Sequence, residues 1–166
     1  MLKWLGGITN PVTTRIDLVE RRVLVPGIVT GAAYAASDTF GQLFEIPDVA
    51  RVPGGTFVIT TAMFYDYDNE GIAKTLHLFR QPVTVAADNA AWAISDAHAA
   101  YLMPGGPIKF TSFDTHSNNQ TSPAAPALYG VCHPGTASIW GCFQTTGADN
   151  IAAGSLPVVS LLVARD

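Results

Sequence analysis

A chain of 166 residues has the length of one domain and is large enough to fold without metal ions or disulfides. Charged residues make up only 13% of it, which indicates that part of the surface faces another protein rather than water. The net charge of −4 argues against a nucleic-acid-binding protein, and no apolar run is long enough to cross a membrane.

The N-terminal region differs from the rest of the chain in pattern and in charge. Residues 1–15 show no periodicity and contain two glycines and a proline, which predicts an extended arm. The same breakers interrupt the apolar start, so no signal peptide is predicted and we expect a cytoplasmic product. Residues 1–25 carry a net charge of +2, against −6 for residues 26–166. A basic arm on an acidic body predicts an attachment device.

Beyond the arm, glycine and proline divide the chain into short runs rich in β-branched and aromatic residues. This pattern predicts many short strands joined by turns. The predicted strands cover residues 16–25, 39–46, 56–66, 74–85, 107–113, 127–132, 137–145 and 156–164. One domain built from such strands is expected to be all-β, a β-sandwich or jelly roll, with a barrel as the alternative.

Two segments interrupt the strand pattern. Residues 88–101 are rich in alanine, and Asp88 and Ser95 are candidate N-caps, which predicts one or two short helical turns. Residues 114–127 are polar and predict a loop with nothing to bury.

The segment Asp66-Tyr67-Asp68-Asn69-Glu70-Gly71 resembles the start of a calcium-binding loop. However, the position of the bidentate glutamate is occupied by His77, within a predicted strand. We therefore interpret the segment as a hairpin turn closed by Asn69 and Gly71.

No other pattern predicts catalysis, a metal site or a cofactor. The histidines are scattered singly, the spacing of Cys132, His133 and Cys142 fits no common zinc site, and no serine elbow or phosphate-binding loop is present. Both cysteines are expected to be reduced thiols, with a hairpin-spanning disulfide between them as the alternative. Four aromatic side chains are candidates for stacking on sugars, although Trp140 is expected in the core or a subunit interface; they are Trp92, Tyr101, Trp140 and Phe143.

Four motifs follow one another along the chain. They are Tyr34-x-x-x-Asp38-x-Phe40-Gly41, the turn at 50–55 (Ala-Arg-Val-Pro-Gly-Gly), the strand end at 76–82 (Leu-His-Leu-Phe-Arg-Gln-Pro) and the segment 88–97 that starts Asp-Asn-Ala. With the final apolar strand, their order over residues 29–164 resembles a family of small structural proteins encoded near the capsid genes of tailed bacteriophages. Members of this family are head decoration, or cement, proteins.

The resemblance implies a non-enzymatic β-sandwich on the capsid exterior, a homotrimer bound to the major capsid protein. It implies no catalytic residues, cofactor, nucleic acid or membrane. The expected organisation is an arm and lead-in strand over residues 1–28 and a decoration domain over residues 29–166. The motifs do not include the arm, so its contacts with the capsid or a neighbouring subunit are inferred from composition; the candidates are Lys3, Trp4, Arg15, Arg21 and Arg22. The alternative function is a virion carbohydrate-binding or host-adhesion module, and a glycosidase or lyase is disfavoured by the missing catalytic residues.

Overall fold

The chain folds into antiparallel sheets, in a computed structural model that describes residues 17–29, 31, 33–152 and 155–166. The one helix of this part, α1, is Asp96–Ala99. The strands are β1 (Asp17–Leu24), β2 (Ala33–Tyr34), β3 (Thr39–Ile46), β4 (Thr56–Asp66), β5 (Lys74–Phe79), β6 (Ile108–Phe110), β7 (Asp114–His116), β8 (Asn119–Ala124), β9 (Leu128–Val131), β10 (Ile139–Thr145), β11 (Asp149–Asn150) and β12 (Val158–Arg165).

Two sheets form a sandwich. The first has six strands in the order β1-β12-β4-β8-β7, with β9 also pairing with β4. The second has four strands in the order β3-β10-β5-β6. The short strands β2 and β11 pair with each other as a separate two-stranded sheet. The predicted all-β sandwich is confirmed. Because β1 pairs with β12 along its whole length, the predicted lead-in strand is part of the six-stranded sheet.

The main core lies between the two sheets and is rich in phenylalanine. Phe143 of β10 is fully buried, and the centroid of its ring lies 5.2 to 6.4 Å from those of four other phenylalanines, namely Phe40, Phe44, Phe64 and Phe110. Rings at these distances and tilts add attraction beyond the area that they bury. This cluster therefore fixes the spacing of the two sheets.

A second, smaller core covers the other face of the four-stranded sheet. The alternation predicted in β5 is confirmed, since Leu76 and Leu78 enter the main core while Phe79 enters the second one. The segment that follows, residues 80–102, lies over this face with Val83, Trp92 and Leu102 among its contacts. The predicted strand 74–85 therefore ends early, at Phe79, because the chain leaves the sheet to cover it.

The predicted loop 114–127 is wrong, because it contains β7 and β8. Alternation along β8 directs Gln120 and Ser122 inward, and Ser122 is fully buried. A polar strand gives no hydrophobic signal in the sequence. Pairing with β4 over Ala62–Asp66 forms this strand instead.

The burial of Ser122 has a testable consequence. Its hydroxyl oxygen is buried without a hydrogen-bond partner in the described structure. Ser122→Ala should therefore leave the free energy of unfolding unchanged or raise it by about 1 kcal/mol, because an unsatisfied buried hydroxyl is removed. Urea unfolding followed by circular dichroism measures this change. A loss of stability would mean that the hydroxyl has a partner in solution.

The calcium-like segment is a turn, as predicted, but it is not a hairpin. The Asp66 carboxylate accepts hydrogen bonds from the backbone N–H groups of Asp68 and Gly71, and Asn69 and Gly71 adopt positive φ angles. However, β4 and β5 belong to different sheets. The turn therefore crosses from one layer of the sandwich to the other.

The predicted helical turn is confirmed at α1, where Ser95 caps the helix by accepting a hydrogen bond from the His98 N–H. Asp88 is not an N-cap. Its carboxylate accepts hydrogen bonds from the Val29 N–H (2.8 Å), the Gly41 N–H (2.6 Å) and the Tyr34 hydroxyl (3.0 Å). Asp88 therefore ties the covering segment to the start of the second sheet, and it joins the first and fourth motifs in space.

Candidate interaction surface

The two sheets differ in how their outer faces are covered. We define the outer face as the set of side chains of the six-stranded sheet that point away from the main core. On β1, Val19 and Val23 contact the core, so the alternating Leu18, Arg22 and Leu24 point outward. Among the described residues, no segment covers the outer face in the way that residues 80–102 cover the second sheet.

Strand pairing aligns apolar residues across this face. Leu18 lies opposite Ala164, Ala164 opposite Val58, and Val58 opposite Tyr129. Directly paired residues lie on the same side of a sheet, with Cβ atoms about 5 Å apart. The register therefore forms one continuous apolar row across β1, β12, β4 and β9.

Exposure confirms that this row is accessible in the described chain. Leu18 is 60% exposed and Tyr129 is 59% exposed. Of the nine exposed large hydrophobic residues in the described part, five lie on strands of the six-stranded sheet: Leu18, Leu24, Tyr129, Val131 and Leu162. Single exposed apolar residues are ordinary, but an aligned group of them indicates an interaction site.

Two of the three charged residues that the register places on the outer face, Glu20 and Arg22, are engaged within the protein; the third, Asp114, lies on β7 at the edge of the sheet. Glu20 accepts a hydrogen bond of 2.6 Å from the Ser160 hydroxyl. The Arg22 guanidinium lies 5.0 Å from the centre of the Tyr65 ring and donates to the Tyr67 hydroxyl at 3.1 Å. These contacts hold long side chains flat against the sheet, which keeps the apolar row open to a partner.

Of the five predicted contact residues, the structure describes only Arg21 and Arg22. Lys3, Trp4 and Arg15 lie outside the described residues. Arg21 donates two hydrogen bonds to the Asp48 carbonyl oxygen, so it fastens β1 to the turn after β3. Only Arg22 is placed on the outer face.

The arm joins the sheet beside the apolar row. Asp17, the first residue of β1, pairs with Arg165 through an ion pair of 2.9 Å. Leu18, the next residue, begins the apolar row. Any partner seated on this end of the outer face is therefore close to the point where residues 1–16 connect.

The candidate sugar-binding aromatics are mostly engaged within the protein. Phe143 is fully buried in the main core, and Trp92 stacks on His77 with ring centroids 4.3 Å apart. Tyr101 packs against the second core. Trp140 lies with Cys142 against that core, as the alternation predicted, and one side of it lines an open cleft.

Both cysteines are free and buried. Burial raises the pKa of the Cys132 thiol to about 11 and that of Cys142 to about 12. Such thiols stay protonated near neutral pH, where they are poor nucleophiles and poor metal ligands.

No three His, Cys, Asp or Glu side chains of residues 17–29, 31, 33–152 and 155–166 come together as metal ligands. No helix in these ranges is long and apolar enough to cross a membrane.

The sequence alone does not predict the outer face, although the alternation of β1 contains one signal for it. The alternation of β1 exposes Leu18 and Leu24 once Val19 and Val23 are assigned to the core. The contribution of Tyr129 depends on the pairing of β9 with β4, which no local pattern predicts.

Comparison of the chain with protein-family models and with curated proteins finds no match. The interpretation of this surface therefore rests on its register, exposure and charge.

Proposed function

We propose that this chain is a non-enzymatic virion structural protein, made in the host cytoplasm, that binds the outside of a tailed-phage capsid and stabilises it. The observation that carries the proposal is the uncovered apolar outer face of the six-stranded sheet. A rigid sheet binds a partner without first ordering its own backbone, which avoids a large entropic cost.

The chemistry of the outer face favours a protein partner. Leu18, Tyr129 and Leu162 provide apolar anchors, and the charged residues of the face, Glu20, Asp114 and Arg22, include only one that is basic. A nucleic-acid site instead requires a cluster of basic residues facing phosphates. The major capsid protein as partner and the homotrimer are what the resemblance to head decoration proteins implies.

The arm supplies a second attachment element in this proposal. It contains six apolar residues, of which Trp4 is the largest, and two basic residues, Lys3 and Arg15. We propose that Trp4 acts as a buried anchor on the capsid while Lys3 and Arg15 meet acidic groups.

Deletion of residues 1–15 should weaken capsid attachment while leaving the sandwich folded. The measurement is co-sedimentation of the full chain and the truncated chain with empty capsids of the phage that encodes it, with circular dichroism as the folding control. Light scattering on the free protein tests the trimer. Equal binding of both forms would remove the arm from the proposal, and no binding by the full chain would overturn the proposed function.

One observation favours the alternative of a carbohydrate-binding or adhesion module. The exposed side of Trp140 lines an open cleft with Gln81, His133 and Thr136, which combines a stacking surface with hydrogen-bonding groups. A glycan array distinguishes the two functions. Glycan binding that Trp140→Ala abolishes, together with absent capsid binding, would favour this alternative.

A further inference from the structure

A lysine and a carboxylate are buried together where β5 and β11 approach each other. Lys74 begins β5 and Asp149 begins β11, and their side chains are 2% and 0% exposed. The Lys74 Nζ lies 2.5 Å from Asp149 Oδ2. The other oxygen, Oδ1, accepts a hydrogen bond from the Asn150 N–H.

Aromatic rings surround this pair. The Lys74 Nζ lies 4.8 Å from the centre of the Phe40 ring and 5.9 Å from that of Phe64, and both rings are fully buried. The nitrogen also donates to the Ile72 carbonyl oxygen at 2.8 Å, which holds it in place. The two groups are therefore fixed in contact in a site from which water is excluded.

Burial favours the uncharged form of Lys74. It lowers the pKa of Lys74, against the opposing effect of Asp149 and more distant carboxylates. Transfer of one proton from the ammonium to the carboxylate converts the ion pair into an amine and a carboxylic acid, without any net change in charge. An amine with a free electron pair then lies against an uncharged carboxyl carbon, which is the pair of reactants that amide formation requires.

We propose that Lys74 and Asp149 form an intramolecular isopeptide bond in the folded protein. The Lys74 Nζ electron pair attacks Asp149 Cγ and forms a C–N bond. The C–Oδ2 bond then breaks, and that oxygen leaves as water with the carboxyl proton and one proton from the nitrogen. The remaining nitrogen proton stays on the amide. The step is a condensation and needs no oxidant, reductant or external reactant.

The fold supplies what makes this condensation favourable. Holding two reactants in contact corresponds to effective concentrations of about 10⁵ M or more. Exclusion of water opposes the reverse hydrolysis. The bond would join two segments far apart in sequence, and it is independent of the proposed capsid function.

Intact-mass spectrometry of the denatured full chain tests the proposal after overnight incubation of the folded protein. The expected mass is lower than that of the sequence by one water. Lys74→Met and Asp149→Ala should show no such loss, whereas Lys109→Met, which removes an exposed lysine on the neighbouring strand β6, should retain it.

Tryptic digestion locates the bond and separates it from loss of water within a single aspartate. Trypsin should fail to cleave after Lys74 and should release a branched peptide that joins residues 52–80 to residues 110–165. Full sequence mass, together with normal cleavage after Lys74 in the wild-type chain, would overturn the proposal. This wild-type result decides the question even where a variant does not fold.

Discussion

Replacement of Asp88 by alanine should lower the free energy of unfolding by about 3 kcal/mol, because three donors lose a charged acceptor at once. Those donors are the N–H groups of Val29 and Gly41 and the hydroxyl of Tyr34. Gly41 and Tyr34 are buried, so water does not readily replace the carboxylate. The expected loss is a large share of the stability of a single domain.

The geometry around Gly41 explains why the site does not relax easily. Gly41 has a φ angle of 78°, and a Cβ atom there would lie 2.7 Å from the Pro26 carbonyl oxygen. The backbone at Gly41 is therefore held close to Pro26, just after β1, on one side and to Asp88 on the other. In Tyr34, burial and then the hydrogen bond to Asp88 raise the pKa of the hydroxyl, so that it remains a donor throughout the ordinary pH range.

Urea unfolding measures this prediction, with Asp96→Ala as the matched control. Asp96 is an exposed aspartate in the first turn of α1, and its loss should change the free energy of unfolding by no more than about 0.5 kcal/mol. A midpoint for Asp88→Ala equal to that of the control would show that Asp88 does not hold the covering segment.

Glutamate at both Leu18 and Tyr129 should reduce capsid affinity at least about 100-fold, since two apolar anchors become charges that binding would have to bury. The two positions stand at opposite ends of the apolar row. Both side chains are more than half exposed in the described chain, so the free energy of unfolding should change by less than about 1 kcal/mol. The double variant is therefore expected to lose capsid affinity while its free energy of unfolding stays nearly unchanged.

Val52→Glu is the matched control for the outer face. Val52 is 57% exposed and lies in the turn before β4, not on a strand of the six-stranded sheet. Co-sedimentation with capsids should be normal for this variant and lost for the double variant. Retained binding by a folded double variant would assign attachment to another surface.

The sequence predicted the long strands well because their signal is local. The bounds predicted for β3 and β4, residues 39–46 and 56–66, coincide with those of the structure. Each is an apolar or β-branched run between turn residues, such as the Gly54-Gly55 turn before β4. Ser95 was likewise identified as a helix cap, since the capping hydrogen bond reaches only three residues along the chain.

The short and polar strands were missed because pairing, not composition, defines them. β2 and β11 are two residues each and exist through hydrogen bonds to one another across more than a hundred residues. β8 contains a proline and polar residues, but its alternation fits the register of β4. Such elements have no pattern that a local reading detects.

By itself, the sequence determined that the chain is all-β, where its principal strands lie and which face of β5 enters the core. These properties follow from side-chain alternation and turn chemistry within a few residues. Only the tertiary structure decided that Asp88 holds three distant groups, that Lys74 meets Asp149 inside a ring of phenylalanines, and that Leu18 aligns with Tyr129 on an uncovered face. The physical reason is that sheet order and register bring together residues separated by up to 148 positions. The strengths of those contacts depend on burial that arises only when both sheets are in place.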